Sequence, residues 1–299
     1  MESSNSPAKS TVPMGQKIAF GFGMLANQMF PAALGVFIIV LVQDMKFAAL
    51  LWGIIQFLPR VFDAITDPIM GFISDNTRSK WGRRRQYVFI GAILMGLAFV
   101  AMWQLHKGDG LTYNFIYFLS WSLVFYLGLT IFSVPYVAIG YEISEDFHER
   151  TQIMAIAQFI GQWAWVIAPW FWVILYDPDW FPEGADAGVR ELSIWVAIPC
   201  TLFALIPALF IKSKSTLDRI DFAPINATAI LSSVGKIFSS AFEAFRIKQF
   251  RQIAGATFLI FNSFNVIASY TFLILSTICS IVTLPVQAYG PQCTVQWGP

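Results

Sequence analysis

Arg60, Asp63 and Asp67 are the side chains of this 299-residue chain whose types and spacing point most directly to chemistry. They interrupt an otherwise apolar stretch from Phe47 to Ser74 that is long enough to span a bilayer. A charge at that depth costs about 3 kcal/mol or more unless a partner, a cavity or an ion compensates it. Offsets of three and four residues put all three on one helical face, within about 60° of each other at about 100° per residue. Two acids and one base leave a negative charge in a low-dielectric place, which a bound cation or proton would neutralise. One acid with one base would read as a structural pair between helices. The second acid on the same face turns the reading towards a cation site.

The elements that must carry these residues are membrane helices. A hydrophobic fraction of 57% and a charged fraction of 12%, with a mean hydropathy of +0.62, do not fit a soluble domain. Nearly charge-free stretches run over 18–42, 47–74, 86–105, 113–141, 152–176, 192–211 and from 252 onward, each at or above the ~20 residues needed to cross. Seven helices are predicted, because a backbone in lipid must satisfy its own polar groups and these runs lack the alternation of barrel strands. The first apolar run is too long for the core of a cleaved signal peptide, so it reads as the first span.

Basic residues set the orientation. With a cytoplasmic N-terminus, the inside segments hold 15 of the 19 lysines and arginines, and outside loops hold only Lys46, Lys107 and Arg190, in keeping with the positive-inside rule. Asp44, Asp186 and Glu191 are among the acids that fall in outside loops on this reading. A net charge of +1 gives no reason to invoke nucleic acid. Cys200, Cys279 and Cys293 have no ligand spacing, and His106 and His148 both fall in loops, so neither a disulfide framework nor a metal or catalytic constellation is indicated.

The organisation read from the chain is a cytoplasmic N-terminus at 1–17, a six-helix bundle at 18–211, a cytoplasmic loop at 212–251, and a seventh helix with an atypical tail at 252–299. A long inside loop after six helices is where many transporters join two halves, so the chain reads as one half plus the start of another. Within the loop, 237–250 is amphipathic, with Phe238, Phe242, Phe245 and Phe250 among Lys236, Arg246 and Lys248, as expected of a helix on the cytoplasmic membrane surface. The tail from Ser280 to Pro299, broken by Pro285, Gly290 and Pro291, reads as the end of a truncated or altered chain.

The run Arg60, Asp63, Asp67, Pro68, Gly71, Asp75, Thr77, Arg78, Trp81, Gly82, Arg83 and Arg85 resembles the signature of the glycoside-pentoside-hexuronide:cation symporters, a family of the major facilitator superfamily that includes the melibiose permease. A second block, Pro135 and Tyr136 through Glu142, Asp146, Glu149, Arg150 and Thr151, is similar to that family's fourth helix and the loop after it. The resemblance covers residues 15 to about 275 and implies an all-α integral membrane protein of the major facilitator fold. It implies a cation site of Asp63, Asp67, Thr66 and Thr130, with Na+ or H+ as the coupling ion and no other cofactor. That set makes independent sense, since a small hard cation takes oxygen ligands. Pro68 also cannot donate to the carbonyl of Ala64, which either frees an oxygen beside the acids or simply kinks the helix.

At the family's sugar-binding positions this chain departs from the best-known members. It has Asn27, Gln28, Ser133 and Gln158 where charged residues are usual, with Tyr136 and Trp163 as further candidates. Uncharged amides and hydroxyls still bond a polyol, but a galactoside geometry is not inherited. An aromatic face such as Trp163 stacks on a sugar ring, although tryptophans near a membrane boundary also serve as interfacial anchors. Arg60, within the membrane, and Asp75, Arg78, Arg83, Glu142, Asp146 and Arg150, on the cytoplasmic side, are read as gating or structural charges, while Arg84 is read as setting topology alone. The function expected is a secondary transporter of the inner (plasma) membrane that moves a sugar with a cation, with a lysolipid carrier or a non-transporting fragment as alternatives. An enzyme is disfavoured, because Asp63 and Asp67 are the only acid-base groups at depth and no nucleophile or metal accompanies them.

Overall fold

The structure, a computed structural model, describes residues 12–182, 184–211, 227–260 and 262–263. The chain divides into two compact units, 1–234 and 235–299. The first contains α1 (Met14–Gln43), α2 (Ala49–Asp75), α3 (Arg85–Met102), α4 (Leu111–Glu142), α5 (Phe147–Leu175) and α6 (Ala185–Phe210), with one short 3-10 turn at Lys107–Asp109. All but α2 are long and apolar enough to cross a membrane. α2 is equally long at 27 residues but carries Arg60, Asp63 and Asp67.

These six helices fall on the six predicted spans, with α1, α5 and α6 starting four to seven residues earlier than expected. α5 begins at Phe147 rather than 152, which places His148 in its first turn and not in a loop. α6 begins at Ala185 rather than 192, so Asp186, Arg190 and Glu191 are helical. Apolarity marks the lipid-crossing part of a helix, whereas its polar ends extend into the aqueous boundary. Acids in the first turn, Glu149 and Asp186, favour those extensions through the helix dipole. Gly184, at φ +103°, takes the left-handed turn that admits the chain to α6.

Neighbouring helices pack in the spatial order α2, α4, α3, α6, α1, α5. The core between them is aromatic: Phe99 meets Phe30 edge-on at 5.2 Å, and Phe37 meets Trp103 at 5.5 Å. α3 and α4 approach each other backbone to backbone. A Cβ placed on Gly91 would lie 2.5 Å from the backbone nitrogen of Phe132, and one placed on Gly128 would lie 2.7 Å from that of Met95. Such backbone-to-backbone contact is the usual way membrane helices gain packing energy in the absence of a hydrophobic drive. α2, by contrast, packs chiefly on α4, and α5 chiefly on α1.

A seventh helix, α7 (Ala227–Arg246), contains the boundary between the two units. Phe242 and Phe245 are exposed on it, and the chain bends at Ile247 before helix resumes at Lys248. The amphipathic stretch expected at 237–250 is therefore helix with one interruption. Helix continues from there through Ile260, where the seventh span was expected, and residues 264–299, with the tail from Ser280, lie outside the described residues.

The glycine contact generates a stability prediction. Gly91→Val should lower the unfolding free energy in detergent by about 1–3 kcal/mol, the usual range for overpacking. Gly53→Val, at a position whose Cβ meets nothing within 4 Å, should leave it nearly unchanged. Equal thermal stability of the two variants would refute the tight α3–α4 contact.

Candidate cation and substrate site

α4 meets α2 with a polar strip. Tyr126, Thr130 and Ser133 stand four and three residues apart, which keeps them on one face, and the first two touch the charged face of α2. Thr130, 3% exposed, donates its hydroxyl to Asp67 Oδ1 at 2.8 Å. Thr66 turns its hydroxyl back to the carbonyl of Phe62 at 3.1 Å, and its oxygen lies 3.4 Å from that of Thr130. Arg60 is 71% exposed at its side chain and comes only to 4.0 Å from Asp63 Oδ2. Its guanidinium instead sits 5.6 Å from the centroid of the Tyr126 ring, a favourable cation–π distance. Asp63 Oδ1 is buried and has no hydrogen-bond partner among the described residues. Four oxygen-bearing side chains thus gather between two helices, one of them with an unsatisfied carboxylate oxygen. Tyr126 was missed in the sequence, although its spacing from Thr130 and Ser133 would have placed it on their face.

The residues considered for substrate separate on inspection. Gln28 and Gln158 face each other between α1 and α5, with Gln28 Nε2 at 3.5 Å from Gln158 Oε1. Trp165 Nε1 donates to Gln28 Oε1 at 3.0 Å. The approach of α1 to α5 is made possible by Gly161, where a Cβ would come within 2.7 Å of Met24. Trp165, seven residues from Gln158, shares its face, whereas Trp163, five residues away, lies about 140° round the helix. The aromatic partner of the glutamines is Trp165 and not the expected Trp163. Tyr136 also requires correction. It is fully buried, stacked between Phe20 and Phe132, and its hydroxyl donates to the carbonyl of Phe20, which leaves it a packing role. Asn27 and Ser133 are partly buried, and among the described residues the Asn27 amide reaches the sulfur of Met24 in its own helix, at 4.0 Å.

The basic end of the bundle is tied together by ion pairs. Arg84 pairs with Asp75 and, at 2.7 Å, with Glu142, and Arg83 pairs with the other oxygen of Glu142. Arg84, read as a topology signal, is instead the buried centre of this cluster, with 10% of its side chain exposed. The tight turn at Gly82, φ +90°, brings three consecutive arginines back over the helix ends. Arg85 donates to the carbonyls of Ala208 and Leu209 at 2.8 and 3.1 Å, satisfying orphan acceptors at the end of α6. Arg150 donates to the carbonyl of Ser144 at 3.2 Å, Asp146 stands at the N-cap of α5, and Glu149 accepts from Ser144 at 2.7 Å and pairs with Lys17 at 3.4 Å. Arg78 is exposed. At the opposite end, Tyr176 donates to Asp44 at 2.9 Å and Lys107 pairs with Asp186 at 2.8 Å. Arg84→Ala should cost about 2 kcal/mol, because it takes the buried guanidinium away from Asp75 and leaves Glu142 with Arg83 alone, and Arg83→Ala less than about 1 kcal/mol. Thermal unfolding of the two variants in micelles measures the difference, and an equal loss would remove Arg84 from the centre.

Residues 19–241 match the model of the family described as MFS/sugar transport protein. The chain is 33% identical to an uncharacterised symporter of Synechocystis sp., over 75% of the chain and 44% of that protein. It is 30% identical to the lactose permease of Leuconostoc lactis, over 75% of the chain and 37% of the permease. It is 29% identical to the sodium-dependent lysophosphatidylcholine symporter 1 of Mus musculus, over 49% of the chain and 28% of that symporter. The chain spans less than half the length of these curated relatives. Its apolar helices and its relatives make it a multi-pass integral membrane protein. From the matched model and from the helices that carry the motif Arg60 to Arg85, it follows that the chain belongs to the MFS/sugar transport protein family and holds the N-terminal part of a major facilitator fold.

Proposed function

We propose that this chain supplies the cation-coupling half of a symporter that moves a glycoside or other small carbohydrate with Na+ or H+ by alternating access. The observation that carries the reading is the unpaired buried oxygen of Asp63 beside the Thr130–Asp67 hydrogen bond. A buried carboxylate oxygen without a hydrogen bond is costly, and either a hard cation or a proton removes that cost. Each threonine hydroxyl has one hydrogen and two acceptor lone pairs. Thr130 can therefore hold Asp67 in place through its hydrogen and still offer an oxygen to a cation, and the oxygen of Thr66 stands beside it.

Gln28, Gln158 and Trp165 form the cargo-facing set on the other helix pair, where amide donors and acceptors suit sugar hydroxyls and the indole offers a stacking face. The arginine-rich end faces the cytoplasm, following the positive-inside rule, in the plasma (inner) membrane, and the Arg83–Arg84–Glu142 cluster acts at the cytoplasmic closure. A second reading, an amphiphilic cargo such as a lysolipid, is favoured by one observation. Phe159, Trp163, Val166, Trp170 and Val173 form an exposed apolar stripe along α5, the spacing expected of a single helical face.

Binding of radioactive sodium to the reconstituted chain, competed by protons, tests the site. Asp63→Asn and Asp67→Asn should abolish saturable binding, and Thr130→Val should weaken it by about tenfold, the worth of one charge-assisted hydrogen bond. Undiminished binding in both aspartate variants would refute the cation assignment. Protection of Gln158→Cys from alkylation, by glycosides on the one hand and lysolipids on the other, separates the two cargo readings.

A further inference from the structure

At the end of the bundle opposite the arginine cluster, a cavity of about 490 Å³ opens between the first turns of α6, the segment 180–182 before it and Gln104 just past the end of α3, lined by Gln104, Trp180, Phe181, Arg190, Glu191 and Ile194 among others. Two features distinguish it from a crevice between helix ends. Arg190 and Glu191 carry opposite charges on the same wall, and neither has an ion-pair partner among the described residues. Arg190 is half-buried, and one of its nitrogens is fastened to the carbonyl of Leu105 at 2.8 Å, which aims the guanidinium without neutralising it. Its neighbour Gln104 is held in turn, with Nε2 at 3.4 Å from the carbonyl of Arg190.

The second feature is what lies below the cavity. Ile194 begins an exposed apolar stripe that continues along α6 through Ile198 and Leu202, and α3 presents Ile90, Ile93 and Leu97 beside it. The two helices run in opposite directions and touch where a Cβ on Gly96 would meet Thr201, so both stripes descend from the cavity into the apolar layer. Trp180, in the cavity wall, and Trp195, one residue past Ile194, are both exposed, as indoles at a membrane boundary are.

We infer that this groove holds a zwitterionic phospholipid of the leaflet at that end, with its phosphate on Arg190, its ammonium group on Glu191, and its acyl chains along the α3 and α6 stripes. Arg binds phosphate through directed N–H donors, the adjacent carboxylate disfavours a purely anionic headgroup, and Trp180 offers a π face to the cation. The inference rests on the membrane-spanning reading and does not depend on the cargo or the coupling ion.

The test uses the full chain in nanodiscs of equal phosphatidylethanolamine and phosphatidylglycerol, with the lipid retained on the protein counted by native mass spectrometry. The wild-type chain should retain phosphatidylethanolamine over phosphatidylglycerol by about threefold, the worth of a partly exposed ion pair. Glu191→Gln, an exposed substitution that leaves the fold intact, should erase that preference while total retained lipid stays the same. Arg190→Gln should lower retention of both lipids. Adding free phosphoethanolamine should not displace the bound lipid, because the stripes supply much of the hold. Equal retention of the two lipids by the wild-type chain, or an unchanged preference in Glu191→Gln, overturns the proposal, and displacement by free phosphoethanolamine assigns the site to a soluble phosphate ester instead.

Discussion

Two carboxylates on one face of α2 must be accommodated in a medium that penalises charge, and the neighbouring helix is built around that demand. α4 turns Tyr126 and Thr130 towards α2, so that Arg60 is held over an aromatic face and Asp67 receives a hydroxyl. The arrangement stops short of neutrality. Arg60 reaches only the edge of Asp63, and the second oxygen of that acid has no partner among the described residues. An intramembrane pair kept solely for structure would be expected to close, because removing a partner from a buried charge is far more costly than leaving both in water.

The orientation of α4 is itself inherited from α3. Glycines on both sides of that contact bring the two backbones together, and a helix gripped in this way cannot rotate to hide its polar strip. α3 is anchored at one end by Arg85 on the last carbonyls of α6 and, just before it, by Arg84 between Asp75 and Glu142. One short, basic turn therefore connects the ends of α2, α3, α4 and α6. Movement of α2 relative to its neighbours has to strain or release these pairs.

The polar set between α1 and α5 is of a different kind. Its members are uncharged, bonded to each other at moderate distances, and carried by a helix with much of its surface exposed. Neutral amides at 3.0 to 3.5 Å exchange partners readily, whereas a fully buried, stacked residue such as Tyr136 does not. That contrast separates groups free to change partners from groups that hold the helices together.

The helical spans were legible from the chain because apolarity over twenty residues is a local property that lipid enforces. The convergence of Arg60, Asp63 and Asp67 was equally legible, since offsets of three and four act within one helix. Thr130 entered by its match to a family motif, and only the α2–α4 contact shows its hydroxyl on Asp67. Tyr126 under Arg60, Trp165 in place of Trp163, and the packing role of Tyr136 were decided by tertiary structure. Each depends on which helix lies alongside and at what rotation, and no local periodicity records that. Arg84 shows the same limit most sharply: among three consecutive arginines of identical chemistry, the backbone turn at Gly82 and the position of Glu142 select the one that is buried.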